Sequence, residues 1–304
     1  MRPFASHVVA ADINPTTDPT QLELLTLPSS KRVLACLPQK TGSTAWKTLL
    51  LLALTGERTA TEAWNFHGFL QKHNRSDAIS HASVAQLVSD DSVEKLLLVR
   101  NPYQRLLSAY LDKVVWAGCP PEFDARCPPG VNANSSFAEL VDALVEEKAH
   151  GRQVDPHFAP ISSFWQACMR ADPRVLKFEE MGLWYGPVVR KLGLETQVAH
   201  GWAGDEVDEH HIHTSGGDCF FRPCGVTCAD ALAPLDASDA RCTTASLVPA
   251  SSSADELAEH YADPRIVAKV HELMEGDFSA FGYDSRLPTV SQWSELLLGG
   301  HALV

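Results

Sequence analysis

Short, continuous apolar runs alternate along the chain with longer segments in which apolar residues recur at helical spacing. The runs are four to six residues long, as expected of buried strands. They lie at 32–37, 95–99 and 174–178. The amphipathic segments predict helices at 43–54, 102–117 and 137–147. A late helix is expected from the N-cap and first-turn pair Asp263-Pro264 towards Glu275.

Strands that alternate with helices favour an α/β fold with a central parallel sheet flanked by helices on both faces. Residues 1–30 are polar and contain several prolines, which predicts an irregular N-terminal arm. We expect one domain over 31–286, with a Cys/His-rich excursion at about 201–253, and a C-terminal helix or tail over 287–304. No internal repeat is visible in the sequence.

The 304 residues carry a formal net charge of −13, and this acidic balance disfavours nucleic acid as a partner. The longest apolar run, Leu49–Leu54, is far shorter than the ~20 residues that span a bilayer. Residues 1–19 contain no obvious signal peptide. We therefore expect membrane association only through an anchor outside this chain.

Cysteines and glycosylation sequons favour an oxidising compartment. The chain has eight cysteines. Cys119 and Cys127 bracket a Pro-rich loop, and four more cluster late in the chain: Cys219, Cys224, Cys228 and Cys242. Even numbers of loop cysteines are typical of disulfides. Asn74 and Asn134 begin N-x-Ser sequons. These features predict a disulfide-containing glycoprotein that is lumenal or secreted, with a cytoplasmic setting as the alternative.

Hydrogen-bond donors are concentrated between the first predicted strand and the helix that follows it. Lys40 contributes a charge, Gly42 allows close backbone approach, and Ser43 and Thr44 contribute hydroxyls at the start of the helix. Free N–H groups and the helix dipole make such a position an anion site. The lysine precedes the glycine, so the loop is not a Walker A motif. The alternative is a simple polar turn.

A second donor group follows the next predicted strand. Arg100 lies at the C-terminal end of that strand, where α/β proteins bind ligands. Asn101-Pro102 begins the following helix, and Ser108 lies eight residues after Arg100. The planar guanidinium suits phosphate binding, and both side chains can reach one phosphate. The alternative is an arginine that forms a salt bridge to a helix.

Together these two stretches resemble the sulfotransferase superfamily, and most of all the Golgi carbohydrate sulfotransferases, which include the chondroitin and HNK-1 sulfotransferases. The matching stretches are PQKTGST at 38–44 and VRNPYQRLLSAY at 99–110. Weaker matches are DPHFAP at 155–160, followed by VLKFE at 175–179, and DFSAFGY at 277–283. The resemblance covers roughly residues 32–285. Gln39 is a departure, since many members have proline directly before the lysine.

The resemblance implies a P-loop-like three-layer sandwich and a PAPS-dependent sulfotransferase, an enzyme of the EC 2.8.2 type. PAPS is 3′-phosphoadenosine 5′-phosphosulfate, the sulfuryl donor. By the resemblance, Arg100 and Ser108 bind its 3′-phosphate and Lys40 stabilises the leaving group. The residues implied for its 5′-phosphosulfate are Lys40, Thr41, Gly42, Ser43 and Thr44. No metal is required, because a sulfuryl group carries less charge than a phosphoryl group.

The acceptor hydroxyl needs a base, which related enzymes place between the two phosphate motifs. Of the histidines there, His67 has aromatic neighbours and is our candidate, whereas His73 and His81 have polar surroundings. Glu62 is a reserve candidate, and a packed histidine without a catalytic role is the alternative for His67. The match at 155–160 suggests that His157 lies in the acceptor pocket.

Other functions were weighed against this one. Clustered histidines at 210–213 and the late cysteines suggest zinc, but their spacing fits no standard finger and a disulfide-held loop is simpler. A nucleotide kinase is disfavoured by the missing Walker A motif and Mg²⁺ ligands. A non-catalytic or nucleotide-binding relative of the fold remains the alternative to an enzyme. The expected acceptor is a carbohydrate hydroxyl or a small-molecule alcohol.

Overall fold

The computed structural model describes residues 22–56, 66, 70, 76–79, 87–119, 127–199 and 254–287. These residues form a five-stranded sheet with helices against both faces. The strands lie in the order β3-β1-β2-β4-β5. They are β1 (Leu22–Thr26), β2 (Arg32–Cys36), β3 (Ser76–Ile79), β4 (Val93–Val99) and β5 (Arg174–Lys177).

The sheet is mixed, which corrects the expectation of a parallel sheet. Strands β2, β4 and β5 are parallel, but β1 is antiparallel to both β2 and β3. The reason is the short connection between β1 and β2, where Leu27 N donates to the Lys31 carbonyl at 2.9 Å. A turn of this length can join only antiparallel strands. Strand β1 also lies inside the stretch that we expected to be an irregular arm.

Buried strand residues point alternately to the two faces of the sheet. On β4, Leu96 and Leu98 pack into a core with the first helix, whereas Leu97 and Val99 pack into a second core on the opposite face. Every second residue points to the same side of a strand, so a continuous apolar run is buried on both faces. The sheet is thus the middle layer of an α/β architecture.

The helices begin close to the predicted positions. They are α1 (Ser43–Thr55), α2 (Pro102–Tyr110), α3 (Phe137–Ala149), α4 (Ile161–Phe164), α5 (Gln166–Arg170), α6 (Met181–Leu192), α7 (Glu195–Ala199), α8 (Ala254–His260), α9 (Pro264–Leu273) and α10 (Glu275–Phe281). The helix predicted at 102–117 is α-helical only as far as Tyr110, and a π-helical segment, Leu111–Trp116, follows it. The late helix ends at Leu273, and α10 begins two residues later.

Two disulfides connect the described cysteines. Cys36, the last residue of β2, is bonded to Cys168 in α5. Cys119 is bonded to Cys127 across the Pro-rich loop. The bond from Cys36 was not predicted, because nothing in the sequence indicates which distant cysteine lies beside a strand. The four late cysteines fall outside the described residues.

The described residues bear on two further expectations. None of the helices in the described ranges has the length and apolar character needed to cross a bilayer. Asn134 of the second sequon is exposed in the loop before α3, whereas Asn74 lies outside the described residues. The remainder of the predicted N-terminal arm, the excursion at 201–253 and residues 288–304 also lie outside them.

Candidate active site

The loop between β2 and α1 is held in a tight conformation. Lys40 and Gly42 both have positive φ angles, of 65° and 80°. Between them, the fully buried Thr41 donates its hydroxyl to the Pro38 carbonyl at 2.6 Å. A left-handed conformation is rare for a residue with a side chain and is common at functional sites. Residues 38–42 therefore form a fixed turn rather than a loose connection.

Helix α1 begins directly after this turn with uncapped N–H groups. Its N-cap is Gly42, which has no side chain to accept a hydrogen bond, and its first turn contains no acidic residue. Trp46 N donates to the Gly42 carbonyl at 3.3 Å, so the N–H groups of the residues between them precede the helical ladder. Ser43 and Thr44 add hydroxyls there. This helix end can bind an anion.

The ammonium group of Lys40 contacts a carboxylate in the π-helical segment. Lys40 Nζ lies 3.0 Å from Asp112 Oδ2, and Lys113 Nζ lies at the same distance from that oxygen. Burial lowers the pKa of Lys40, while Asp112 raises it and opposes that effect. For Asp112, burial raises the pKa, but Lys40 and Lys113 outweigh burial and hold it below its usual value. One carboxylate thus balances two cations.

Arg100 brings the second donor group into contact with the first. Its Nη1 donates to the carbonyl of Lys40 at 3.4 Å. Its guanidinium lies over the ring of Phe178, 4.9 Å from the centroid. The same ring packs against Gly42, where a Cβ atom would lie only 3.1 Å from Phe178 Cε2. The ends of β2, β4 and β5 therefore meet around one aromatic ring.

A half-buried carboxylate, that of Glu179, accompanies Arg100. Glu179 Oε1 accepts from Asn101 N at 2.6 Å, and Glu179 Oε2 accepts from the Tyr283 hydroxyl at 2.9 Å. Burial raises the pKa of Glu179, whereas the Asn101 N–H and the charge of Arg100 lower it. Arg100 thus has an acidic neighbour in Glu179, and it also adjoins the predicted phosphate loop.

Ser108 is buried in α2, four residues before Asp112, whose carboxylate contacts Lys40. Arg100 lies two residues before the same helix. The two predicted phosphate contacts therefore belong to one strand–helix unit, and their joint role stays a prediction.

His157 lies in a turn held by hydrogen bonds. Both its backbone N–H and its Nδ1 bond to Asp155 Oδ1, at 2.9 and 2.7 Å. Burial lowers its pKa most, Asp155 raises it, and the charges of Lys113 and Lys40 lower it further. His157 is therefore within electrostatic range of the Lys40 ammonium.

Several predicted residues cannot be placed. His67 lies outside the described residues, as do His73, His81 and Glu62. The histidines at 210–213 and the late cysteines, which suggested zinc, are outside them too. In the described part of the chain no group of three His, Cys, Asp or Glu side chains could hold a metal ion.

Sequence reasoning missed three residues that contact the predicted donors. Asp112 contacts Lys40, Phe178 joins Gly42 to Arg100, and Glu179 faces Arg100. A signal existed for Asp112, which follows Ser108 by one helical turn. Phe178 and Glu179 follow the third predicted strand, so their position at the same sheet edge could also have been inferred.

Comparison with known proteins gives one match. A protein-family model described as the sulfotransferase family matches residues 25–198. This range contains the turn at 38–42, Arg100, Asp112, His157 and Glu179. Neither the curated proteins nor the solved structures include a significant match to the chain.

Proposed function

The chain belongs to the sulfotransferase family, since the match covers more than half of it, and we propose that it moves a sulfuryl group from PAPS to a carbohydrate hydroxyl. Sulfotransferase activity of the EC 2.8.2 type follows from the family. The donor PAPS and the carbohydrate acceptor, of the kind used by Golgi carbohydrate sulfotransferases, are the proposed part. A small-molecule alcohol is the other acceptor class that the site would suit.

The observation that carries the proposal is the contact between the two donor groups. Arg100 Nη1 bonds to the backbone of Lys40 itself, and the two side chains follow neighbouring parallel strands. A bis-phosphorylated nucleotide needs two anion sites a few ångströms apart. The uncapped start of α1 supplies one of them, and Arg100 with Ser108 supplies the other. We accordingly assign Lys40, Thr41, Gly42, Ser43, Thr44, Arg100 and Ser108 to the donor site.

In the proposed reaction, the acceptor oxygen attacks sulfur in line with the bridging oxygen of the phosphosulfate. The S–O bond to that oxygen breaks, and negative charge develops on the 5′-phosphate of the leaving adenosine 3′,5′-bisphosphate. Lys40 stabilises this charge, and the N–H groups at the start of α1 hold the same phosphate. No metal is part of the proposal.

The ion pair between Lys40 and Asp112 has a consequence for donor binding. Lys40 already has a carboxylate partner at 3.0 Å, so an anionic ligand competes with Asp112 for the ammonium group. Lys113 contacts the same carboxylate and can retain it when Lys40 turns to the ligand. The net charge of the three groups is +1, which favours an anion at this position.

Two disulfides in the described residues support a lumenal or secreted setting for the protein, with the Golgi lumen as the compartment proposed. This localisation is inferred from the presence of disulfides, which persist in oxidising compartments, and not from the active site. Localisation of a tagged chain by microscopy would test it, and retention in the cytosol would contradict it.

Transfer of ³⁵S from labelled PAPS to a panel of glycans and simple alcohols tests the function. We expect a labelled glycan from the wild-type protein. Lys40→Ala should lose transfer by on the order of 100-fold or more while keeping its unfolding temperature. Lys31→Ala is the matched control, because Lys31 is exposed on the β1–β2 turn. Full activity of Lys40→Ala would remove this residue from the chemistry.

Calorimetric titration with adenosine 3′,5′-bisphosphate tests the second anion site. Arg100→Ala should weaken binding more than it slows turnover at saturating PAPS. Because removal of a buried ion-pair partner destabilises a fold, Arg100→Lys serves as the second variant, which keeps the charge but loses the planar fork. Arg174→Ala, an exposed arginine on β5, is the control. Unchanged affinity in folded Arg100→Ala would overturn the assignment.

The transfer assay and the calorimetric titration also distinguish an active sulfotransferase from the alternative, a non-catalytic relative. A non-catalytic or nucleotide-binding relative would bind adenosine 3′,5′-bisphosphate, yet would label no acceptor in the panel. The sequence predicts His67 as the base and His157 as an acceptor contact.

A further inference from the structure

A half-buried histidine–carboxylate pair lies within electrostatic range of the proposed leaving-group lysine. His157 Nδ1 is 2.7 Å from Asp155 Oδ1, and the side chains are 16 % and 5 % exposed. Asp155 Oδ1 also accepts the backbone N–H of His157 at 2.9 Å. These two hydrogen bonds to one carboxylate oxygen fix both the backbone and the ring of His157, so the imidazole has little freedom to rotate.

The turn that carries this pair is anchored from two other parts of the chain. Arg105, fully buried in α2, donates to the carbonyls of His157 and Ala159. Asp277 of α10 accepts from the N–H groups of Ile161, at 2.9 Å, and Ser162, at 2.7 Å. These bonds hold the backbone from His157 to Ser162. A functional side chain is precise when its supporting residues are themselves fixed.

The charges around the ring favour its neutral form. Burial lowers the pKa of His157, Asp155 raises it, and Lys113 and Lys40 lower it. The net direction is downwards, so the imidazole is uncharged at neutral pH. With Nδ1 engaged by a carboxylate, the neutral ring carries its proton on Nδ1 and presents a lone pair on Nε2.

We propose that His157 is the general base that deprotonates the acceptor hydroxyl, and that Asp155 is its positioning residue. This inference rests on the proposed function. It replaces His67 in the base role and moves His157 from acceptor contact to catalytic residue.

The step balances without any further reagent. The acceptor O–H bond breaks, its proton moves to His157 Nε2, and the oxygen forms the new bond to sulfur. The S–O bond of the phosphosulfate breaks, and its electron pair stays on the bridging oxygen of adenosine 3′,5′-bisphosphate. Asp155 stabilises the imidazolium that results. In this step Lys40 acts on the leaving oxygen and His157 on the entering one, as in-line transfer requires of the two roles.

Four variants test the assignment in the ³⁵S assay and in calorimetric titration with adenosine 3′,5′-bisphosphate. His157→Asn keeps a donor for Asp155 but has no group at the position of Nε2. Asp155→Asn keeps the size of the side chain and loses the charge. His150→Asn is the control, because His150 is exposed at the end of α3. His67→Asn tests the competing base.

The expected results separate the roles. His157→Asn should bind the bisphosphate within about threefold of wild type while kcat falls on the order of 100-fold or more, the usual contribution of a general base. Asp155→Asn should lower kcat and move the acidic limb of the kcat–pH profile to lower pH, because Asp155 raises the pKa of His157. His150→Asn should keep both parameters, whereas a fall in kcat in His67→Asn without one in His157→Asn would return the base role to His67.

Each contrary result has a definite meaning. A wild-type protein that neither binds the bisphosphate nor transfers sulfate overturns the proposed function and this inference with it. Wild-type transfer with His157→Asn within tenfold in kcat overturns the inference alone. If His157→Asn does not fold, then His157→Gln and the pH profile of Asp155→Asn decide. An unshifted acidic limb, or loss of nucleotide binding in every folded variant, assigns the pair a structural role and refutes the proposal.

Discussion

The disulfide between Cys36 and Cys168 should stabilise the fold more than the one between Cys119 and Cys127. The reason is the length of chain that each closes. Cys36 and Cys168 are 132 residues apart, so the chain-entropy relation gives about 5 kcal/mol. Cys119 and Cys127 are 8 residues apart, for which the relation gives about 2.5 kcal/mol. The perturbation is replacement of both cysteines of one pair by alanine.

Urea unfolding under oxidising conditions measures the difference. We expect Cys36→Ala/Cys168→Ala to lose about twice as much unfolding free energy as Cys119→Ala/Cys127→Ala, by linear extrapolation to water. The short-loop variant is the matched control, since it removes the same atoms. The slope of the unfolding curve should also rise more in the long-loop variant, because its unfolded chain expands more.

The position of Cys36 adds a functional readout. It is the last residue of β2, four residues before Lys40, so its bond to α5 also holds the start of the proposed phosphate turn. Affinity for adenosine 3′,5′-bisphosphate should fall in Cys36→Ala/Cys168→Ala and stay unchanged in the other pair. An equal or smaller loss of stability in the long-loop variant would refute the reasoning from loop length.

Two more predictions concern the turn itself. Asp112→Asn removes a charge that raises the pKa of Lys40, so Lys40 should lose its proton at lower pH, and the alkaline limb of nucleotide binding should move to lower pH in a titration series; an unmoved limb would contradict this. Gly42→Ala should cost about 1–2 kcal/mol for a side chain at positive φ and also weaken nucleotide binding, because its Cβ meets Phe178. Gly56→Ala, at a φ of 74° with no atom within 4 Å, should show only the first effect.

The parallel strands could be predicted because each is visible as a short apolar run in the sequence. Strands β2 and β4 are largely buried on both faces, and such strands are continuous apolar runs whatever their partners are. Strand β1 was missed for the opposite reason. Leu22–Thr26 gains its place by pairing with Arg32–Cys36 on one side and Ser76–Ile79 on the other, and pairing is not visible in a five-residue segment with polar positions.

In the candidate site, too, features that depend on local sequence were predictable and long-range contacts were not. Donor side chains at the ends of parallel strands must meet at one edge of the sheet, so the neighbourhood of Lys40 and Arg100 could be inferred from order alone. The contact between Asp112 and Lys40 was harder to predict. Asp112 follows Ser108 by one helical turn, but it is 72 residues from Lys40 and lies in a π-helical segment that the apolar spacing did not predict. The disulfide between Cys36 and Cys168 is a second long-range contact that the sequence did not predict.

The two arginines of the segment at 99–110 have different tasks, and this division connects the two halves of the proposed reaction. Arg100 faces the turn that holds Lys40, whereas Arg105 is buried on the other side and holds the carbonyl of His157. The segment at 277–283 is divided in the same way, since Asp277 anchors the end of the His157 turn and Tyr283 bonds to the carboxylate beside Arg100. The segment that contains α2 therefore contacts both the turn of Lys40 and the turn of His157. A substitution in its interior should change kcat through both sides at once, rather than through donor affinity alone.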